Sequence, residues 1–310
     1  MTHIVLPFFF VMLYGSGFVG AKLGLPHAEP FTFLALRFAL ATVLLGLLAG
    51  LLRAPWPDKP RLIIDLIGAG LLTVGLFSAG VFYSIAWGVP PAVSALIIAL
   101  HPILVSLGAG LWLGERVGKR QWAGMALGLF GVYLVLQHGL QLDPGYLQGA
   151  LFSVLGLLGL SAGSLYQKAR CSGMNIFSGG AIQCAVSALT MALGAGCFES
   201  GMVDWGMEFA IALLWMAVIV SVGAVSMLYV MIKRGEASRV ASVFYLVPVS
   251  AALTAYLLFG QTVDGWALAG SALAAFGVVL ASLPTGKPKP VRHELITQDL
   301  VRATRPLTSQ

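Results

Sequence analysis

What most constrains this chain is a succession of long apolar runs separated by short polar breaks. Ten such runs lie at 4–24, 31–52, 62–84, 91–113, 121–137, 147–168, 176–198, 209–232, 240–259 and 265–283. A helix rises about 1.5 Å per residue, so about 20 residues cross the roughly 30 Å hydrocarbon core of a bilayer. The runs are continuously apolar and lack the alternation of barrel strands, which makes them helices. The expected fold is therefore an all-α integral membrane protein with ten transmembrane helices. Composition agrees: 58% of the residues are hydrophobic and 10% charged, where a soluble domain is about a quarter charged. No sizeable extramembrane domain fits in what remains.

The net charge of +6 could suggest nucleic-acid binding, but the placement of the basic residues argues otherwise. Sixteen of the eighteen Lys and Arg lie in alternate loops and in the tail, after the second, fourth, sixth, eighth and tenth runs. The opposite loops carry Glu29, Asp143, Glu199, Asp204, Glu208 and Asp264 and no basic residue. By the positive-inside rule both termini are cytoplasmic in a cytoplasmic (inner) membrane, which requires an even number of spans. Nucleic acid is not an expected partner; the lipid bilayer is.

The first run ends near Val19-Gly20-Ala21, which resembles a cleavage site. No basic leader precedes it, so it is read as the first span rather than a signal peptide. Cys171, Cys184 and Cys197 lack metal-ligand or CxxC spacing and are read as packing residues. No metal or cofactor is expected. The tail at 284–310 is polar, basic and Pro-containing, and reads as a disordered cytoplasmic segment.

The third to fifth runs superimpose without gaps on the eighth to tenth at an offset of 146 residues. Identical pairs include Tyr83/Tyr229, Pro102/Pro248, Gly114/Gly260, Gly124/Gly270, Phe130/Phe276 and Gly131/Gly277. This is a duplication, with one copy at 1–140 and the other at 141–283. An odd number of spans per copy makes the second enter the membrane from the opposite side, giving two inverted five-helix repeats. Inverted repeats can exchange inward-open and outward-open states around a site at their interface, which points to transport by alternating access.

Several segments resemble the EamA-type branch of the drug/metabolite transporter superfamily across about residues 4–283. They are Tyr14-Gly15-Ser16, Leu36-Arg37-Phe38, Pro102 followed by Leu113-Gly114-Glu115, and Gly124 to Gly131. Gln261 departs from the pattern where the first copy has Glu115, as does Gly17 where many members carry Asn. The resemblance implies export or exchange of small metabolites such as amino acids or other zwitterions, and leaves the cargo open.

Few polar groups lie within the runs, and a charged one costs at least about 2.5–3.5 kcal/mol at the bilayer centre. Arg37 and Lys22 could attract an anionic group such as a carboxylate. Alternatively, Lys22 snorkels to the interface and Arg37 locks helix-end carbonyls. His101 could carry a proton or bond a solute, or bond a carbonyl freed by Pro102. Pro102 and its mate Pro248 free the carbonyls of Ile98 and Phe244 and are candidate hinges. Tyr14, Ser16, Tyr83, Trp87, Tyr166, Gln183, Tyr229 and Tyr245 could line a solute cavity or serve as core and interface-belt residues.

Small-residue pairs such as Gly20/Gly24, Gly46/Gly50, Gly124/Gly128 and Gly159/Gly163 allow close helix approach, within the bundle or in a homodimer. A membrane-embedded enzyme is disfavoured, because no HExxH, GxSxG, P-loop or intramembrane carboxylate pair is present. A non-transporting scaffold or receptor would call for larger loops than the chain has.

Overall fold

A computed structural model describes residues 2–89, 91–114, 117–136, 146–235, 237–247, 249–250, 253–254 and 265–282. Pro248, Glu115, Gln261, Asp143, Asp264 and the 284–310 tail lie outside the described residues. What is described is helical, apart from loops and one isolated antiparallel bridge between Ala28 and Val203.

Six helices are long and apolar enough to cross a membrane. We label the helices in chain order: α1 (Thr2–Gly24), α2 (Pro30–Leu51), α3 (Pro60–Ala86), α4 (Pro91–Ile98), α5 (His101–Leu113), α6 (Lys119–Leu136), α7 (Tyr146–Arg170), α8 (Ile176–Phe198), α9 (Met207–Arg234), α10 (Ala237–Ser242) and α11 (Gly265–Ser282). The expected run at 91–113 is split into α4 and α5. The break at Ala99 and Leu100 comes immediately before Pro102, which sits in the first turn of α5, where its missing N–H is not needed. Prolines likewise open α2 and α3, and the Asn175 side chain caps α8 by accepting from the N–H groups of Phe177 and Ser178.

The principal helix contacts pair α2 with α8, α6 with α11, α3 with α7 and α1 with α9. Glycine sets how closely two of these pairs approach. A Cβ on Gly124 would stand 2.6 Å from the Gly277 carbonyl oxygen, and one on Gly131 would stand 2.5 Å from the Ala274 nitrogen. At the α3–α7 crossing, a Cβ on Gly80 would meet the Gly156 nitrogen at 2.6 Å. Backbones this close leave no space for any side chain. Gly46 and Gly50, by contrast, face open space.

Chain-terminal contacts show that α2 and α8 run antiparallel. The start of α2 meets the end of α8 through Glu199, while the start of α8 meets the chain after α2 through the Ser178 hydroxyl, which donates to the Pro55 carbonyl at 2.7 Å. One face of the molecule therefore carries the acidic loops around residues 25–29 and 199–206, and the other carries Arg53, Lys59, Arg170 and Arg234. Aromatic clusters fill the interior, with Phe10, Phe18, Phe77 and Phe244 in one and Phe33, Phe38, Phe82 and Phe209 in another. Leu47, Leu51, Leu111, Leu189, Leu193 and Phe276 are exposed on the outside, as a surface solvated by lipid requires. Trp56, Trp87, Trp112, Trp122, Trp205 and Trp266 lie near helix ends, the usual depth of an aromatic belt.

Segments of α3 and α9 are locally underwound into π turns, as is Ala109–Leu113 at the end of α5. In α3 the segment Leu71–Leu76 closes with the Phe77 N–H donating to the Leu72 carbonyl. In α9 the segment Trp215–Ala224 closes with the Val225 N–H donating to the Val220 carbonyl. The same 146-residue offset carries the first segment onto 217–222, within the second.

Candidate functional site

Arg37 lies two turns inside α2, on a helix otherwise built from apolar and hydroxyl residues. Its side chain is only 5% exposed. The guanidinium lies over the Phe38 ring at 5.0 Å and the Phe82 ring at 5.9 Å, and its Nε–H donates to Ser221 Oγ at 2.9 Å. That is its one hydrogen bond among the described residues, and no described carboxylate comes within 4.0 Å of it. Cation–π contact offsets part of the cost of burying the charge. Of the five N–H donors of the fork, four have no described partner.

The cavity beside Arg37 is lined by α1, α2, α3, α8 and α9. Its polar wall is Tyr14, Thr73, Ser78, Cys184 and Ser221, and its apolar wall includes Phe18, Phe77, Val81, Met216 and Val225. It offers about 40 Å³ to the centres of water-sized molecules, where one water needs about 10–15 Å³. The π segments of α3 and α9 contribute to the lining, through Thr73 and Val74 on one side and Met216, Val220 and Ser221 on the other. The structure thus holds a small, mostly apolar chamber with one cation in its wall.

On the acidic face a clasp joins the α1–α2 and α8–α9 connections. The Glu199 carboxylate accepts from the N–H groups of Phe31 (2.7 Å) and Thr32 (2.8 Å), from the Thr32 hydroxyl (2.8 Å) and from the Tyr83 hydroxyl (2.7 Å). It caps the positive end of α2 from another part of the chain. Glu29 reciprocates by accepting from the N–H and hydroxyl of Ser200, and those bonds hold its carboxyl below the ordinary 4.5. His27 stands between Asp204 at 3.1 Å and Glu208 at 3.4 Å. Toward the basic face, Lys168 donates to the carbonyls of Ile232 and Gly235, Lys233 donates to that of Met174, and the Tyr166 hydroxyl donates to Asp65 at 2.6 Å.

Of the residues singled out in the sequence, Tyr14 and Arg37 share the chamber. Ser16 donates to the Leu13 carbonyl and accepts from the Trp215 indole, while Lys22 is exposed near the end of α1. Tyr83 belongs to the acidic clasp. His101 is buried against Phe244, 3.3 Å from the Ser164 hydroxyl, and does not line the chamber. Gln183 donates to the Gln167 amide at 2.8 Å, and Tyr245 is buried against Gly128 between α6 and α11. Tyr229 borders a smaller void of about 10 Å³ toward the basic face, with Gln167, Cys171 and Lys233. Pro102 is buried at the α4–α5 break.

Sequence reasoning missed Ser221, Ser78, Thr73 and Cys184, because single hydroxyls and thiols are commonplace in apolar helices. It also read Glu199 as an ordinary loop acid. One signal was available: the 146-residue offset carries Arg37 onto Gln183, so the two halves place unlike polar groups at one position.

Comparison with known proteins identifies the architecture. The model of the EamA-like transporter family matches residues 1–137 and again 147–283. The chain belongs to the EamA-like transporter family. It is a multi-pass membrane transporter and not an enzyme. A Salmonella typhimurium protein named "Probable amino-acid metabolite efflux pump" is 26% identical to this EamA-like chain over 281 residues, 87% of it and 91% of the relative. The Escherichia coli K12 inner membrane transporter YedA is 26% identical over 276 residues, 88% of each. A solved crystal structure superposes with a TM-score of 0.76 at 23% identity, covering 90% of this transporter and 95% of the other chain, which is a likeness of fold.

Proposed function

We propose that this transporter exports small metabolites, amino-acid derivatives among them, across the cytoplasmic membrane by alternating access between two inverted five-helix halves. The halves are 1–140 and 141–283, with ten spans in all, both termini inside and a cytoplasmic tail at 284–310. Supporting the inversion are the antiparallel packing of α2 on α8, which share one register, and the π segments at matching places in α3 and α9. The alternation of acidic and basic loops supports the orientation. The name of the Salmonella relative supports small metabolites as cargo and export as the direction, and that of YedA supports an inner-membrane transporter.

The observation that carries the assignment of the site is Arg37, a buried cation with unused donors beside a chamber lined by both halves. Arg37 and Tyr14 hold the solute, with Pro102 and Pro248 as hinges. Tyr83 and Tyr229 lie toward opposite faces, where inverted copies of one gate belong. The test is counterflow in proteoliposomes with a metabolite panel. Wild-type protein accumulates labelled solute, and a folded Arg37→Ala variant accumulates none. Undiminished counterflow by that variant would remove the chamber as the site.

A further inference from the structure

We infer that the chamber at Arg37 selects apolar organic monoanions, a carboxylate on a short branched hydrocarbon, over zwitterions. This rests on the chamber being the transport site. Arg37 presents four unused N–H donors in a planar fork, the geometry that grips a carboxylate with two parallel bonds. What remains of the wall is chiefly hydrocarbon and aromatic.

The counter-charge that an amino acid needs is missing from that wall. No Asp or Glu lines the chamber among the described residues. Carboxylates outside it are engaged: Glu199 accepts four bonds at the acidic end, and Asp65 accepts from Tyr166 near the basic end. An α-ammonium brought in with a carboxylate would lose water and gain no anion. Aromatic faces offer little instead, because Phe38 and Phe82 already lie beside the guanidinium and a second cation there meets like charge. The hydroxyls are also partly spent, since Ser221 accepts from Arg37 and Thr73 donates to the Ala69 carbonyl. A monoanion leaves one positive and one negative group paired in an apolar enclosure; a zwitterion leaves a cation over.

Four ligands of one carbon skeleton test this: isovalerate (anion), L-valine (zwitterion), isovaleramide (neutral) and isoamylamine (cation). Affinity is read from the concentration dependence of the unfolding temperature of purified wild-type protein, and translocation from proteoliposome counterflow. Isovalerate is expected to bind at least about tenfold more tightly than L-valine or isovaleramide. Isoamylamine is expected not to bind, and Arg37→Gln to erase the advantage of the acid over the amide. Failure of isovalerate to stabilise the protein, or binding of L-valine or isoamylamine as tight as that of isovalerate, overturns the inference.

The two levels separate cleanly. Tight L-valine binding that Arg37→Gln abolishes overturns the monoanion class and keeps the chamber as the site, whereas ligand binding indifferent to Arg37→Gln overturns the site itself. Should that variant not fold, Cys184 in the chamber wall supplies a second readout in the wild-type chain. Isovalerate is expected to slow its alkylation by N-ethylmaleimide, followed by mass spectrometry. An unchanged rate counts against the inference.

Discussion

At the scale of single residues, charge placement decides the outcome. Arg37 was legible in the sequence because one cation in an apolar run has a cost that needs an explanation, and its depth placed it inside the bundle. Its partners were not legible. Whether Ser221 or any other serine meets the guanidinium depends on how α9 is rotated, which nothing in its apolar sequence dictates. Arg37→Lys is expected to lose most transport despite keeping the charge, since an ammonium neither forks nor lies flat on Phe38 and Phe82; counterflow measures it. Glu199→Ala removes the cap of α2 and four accepted bonds, and is expected to cost about 1–3 kcal/mol in chemical or thermal unfolding. Glu29 has a carboxyl held below 4.5, so its bonds to Ser200 contribute fully at neutral pH. That contribution is lost only as pH falls below 4.5 and through the lowered folded value. The unfolding temperatures of wild type and Glu29→Gln should therefore differ at neutral pH and converge in acid.

At the scale of helices, continuous apolar runs were readable with boundaries close to those observed, as at 176–198, which is α8 to the residue. Their pairing was not readable, because a helix apolar on every side does not reveal which face it turns inward. The glycines resolve that question. Gly124, Gly128 and Gly131 of α6 meet Gly270, Ala274, Gly277 and Ala281 of α11, so this small-residue stripe is used within the chain. Gly131→Ala and Gly277→Ala each force a methyl into backbone and are expected to lower stability by about 1–3 kcal/mol. Gly46→Ala, whose methyl meets nothing, should be neutral or stabilise by about 0.5–1 kcal/mol. Unfolding temperatures of the three variants in one detergent distinguish the cases.

At the scale of the whole molecule, both faces are tied, the acidic one by Glu199 and Glu29 and the basic one by Lys168 and Lys233. In the proposed alternating access, one set of ties releases while the other holds. Cutting the acidic clasp with Glu199→Gln is expected to raise the rate at which a membrane-impermeant maleimide reaches Cys184 from the acidic face, with little change from the basic face. Right-side-out and inside-out vesicles separate the two rates. The 146-residue repeat suggested a two-sided device. It did not reveal how each face is tied, since Tyr83 and Tyr229 occupy equivalent places in sequence yet have different surroundings in the structure.

The π segments of α3 and α9 give such a device a way to move. A π turn in a helix behaves like a dislocation in a crystal: one residue too many for the local lattice, able to travel by exchanging single bonds in succession. Each step rotates the residues it passes by about 100° and leaves the hydrogen-bond ladder otherwise intact. Two dislocations facing one another across the chamber let its walls turn without either helix unravelling in lipid, where a broken peptide bond pairing finds no water to replace it.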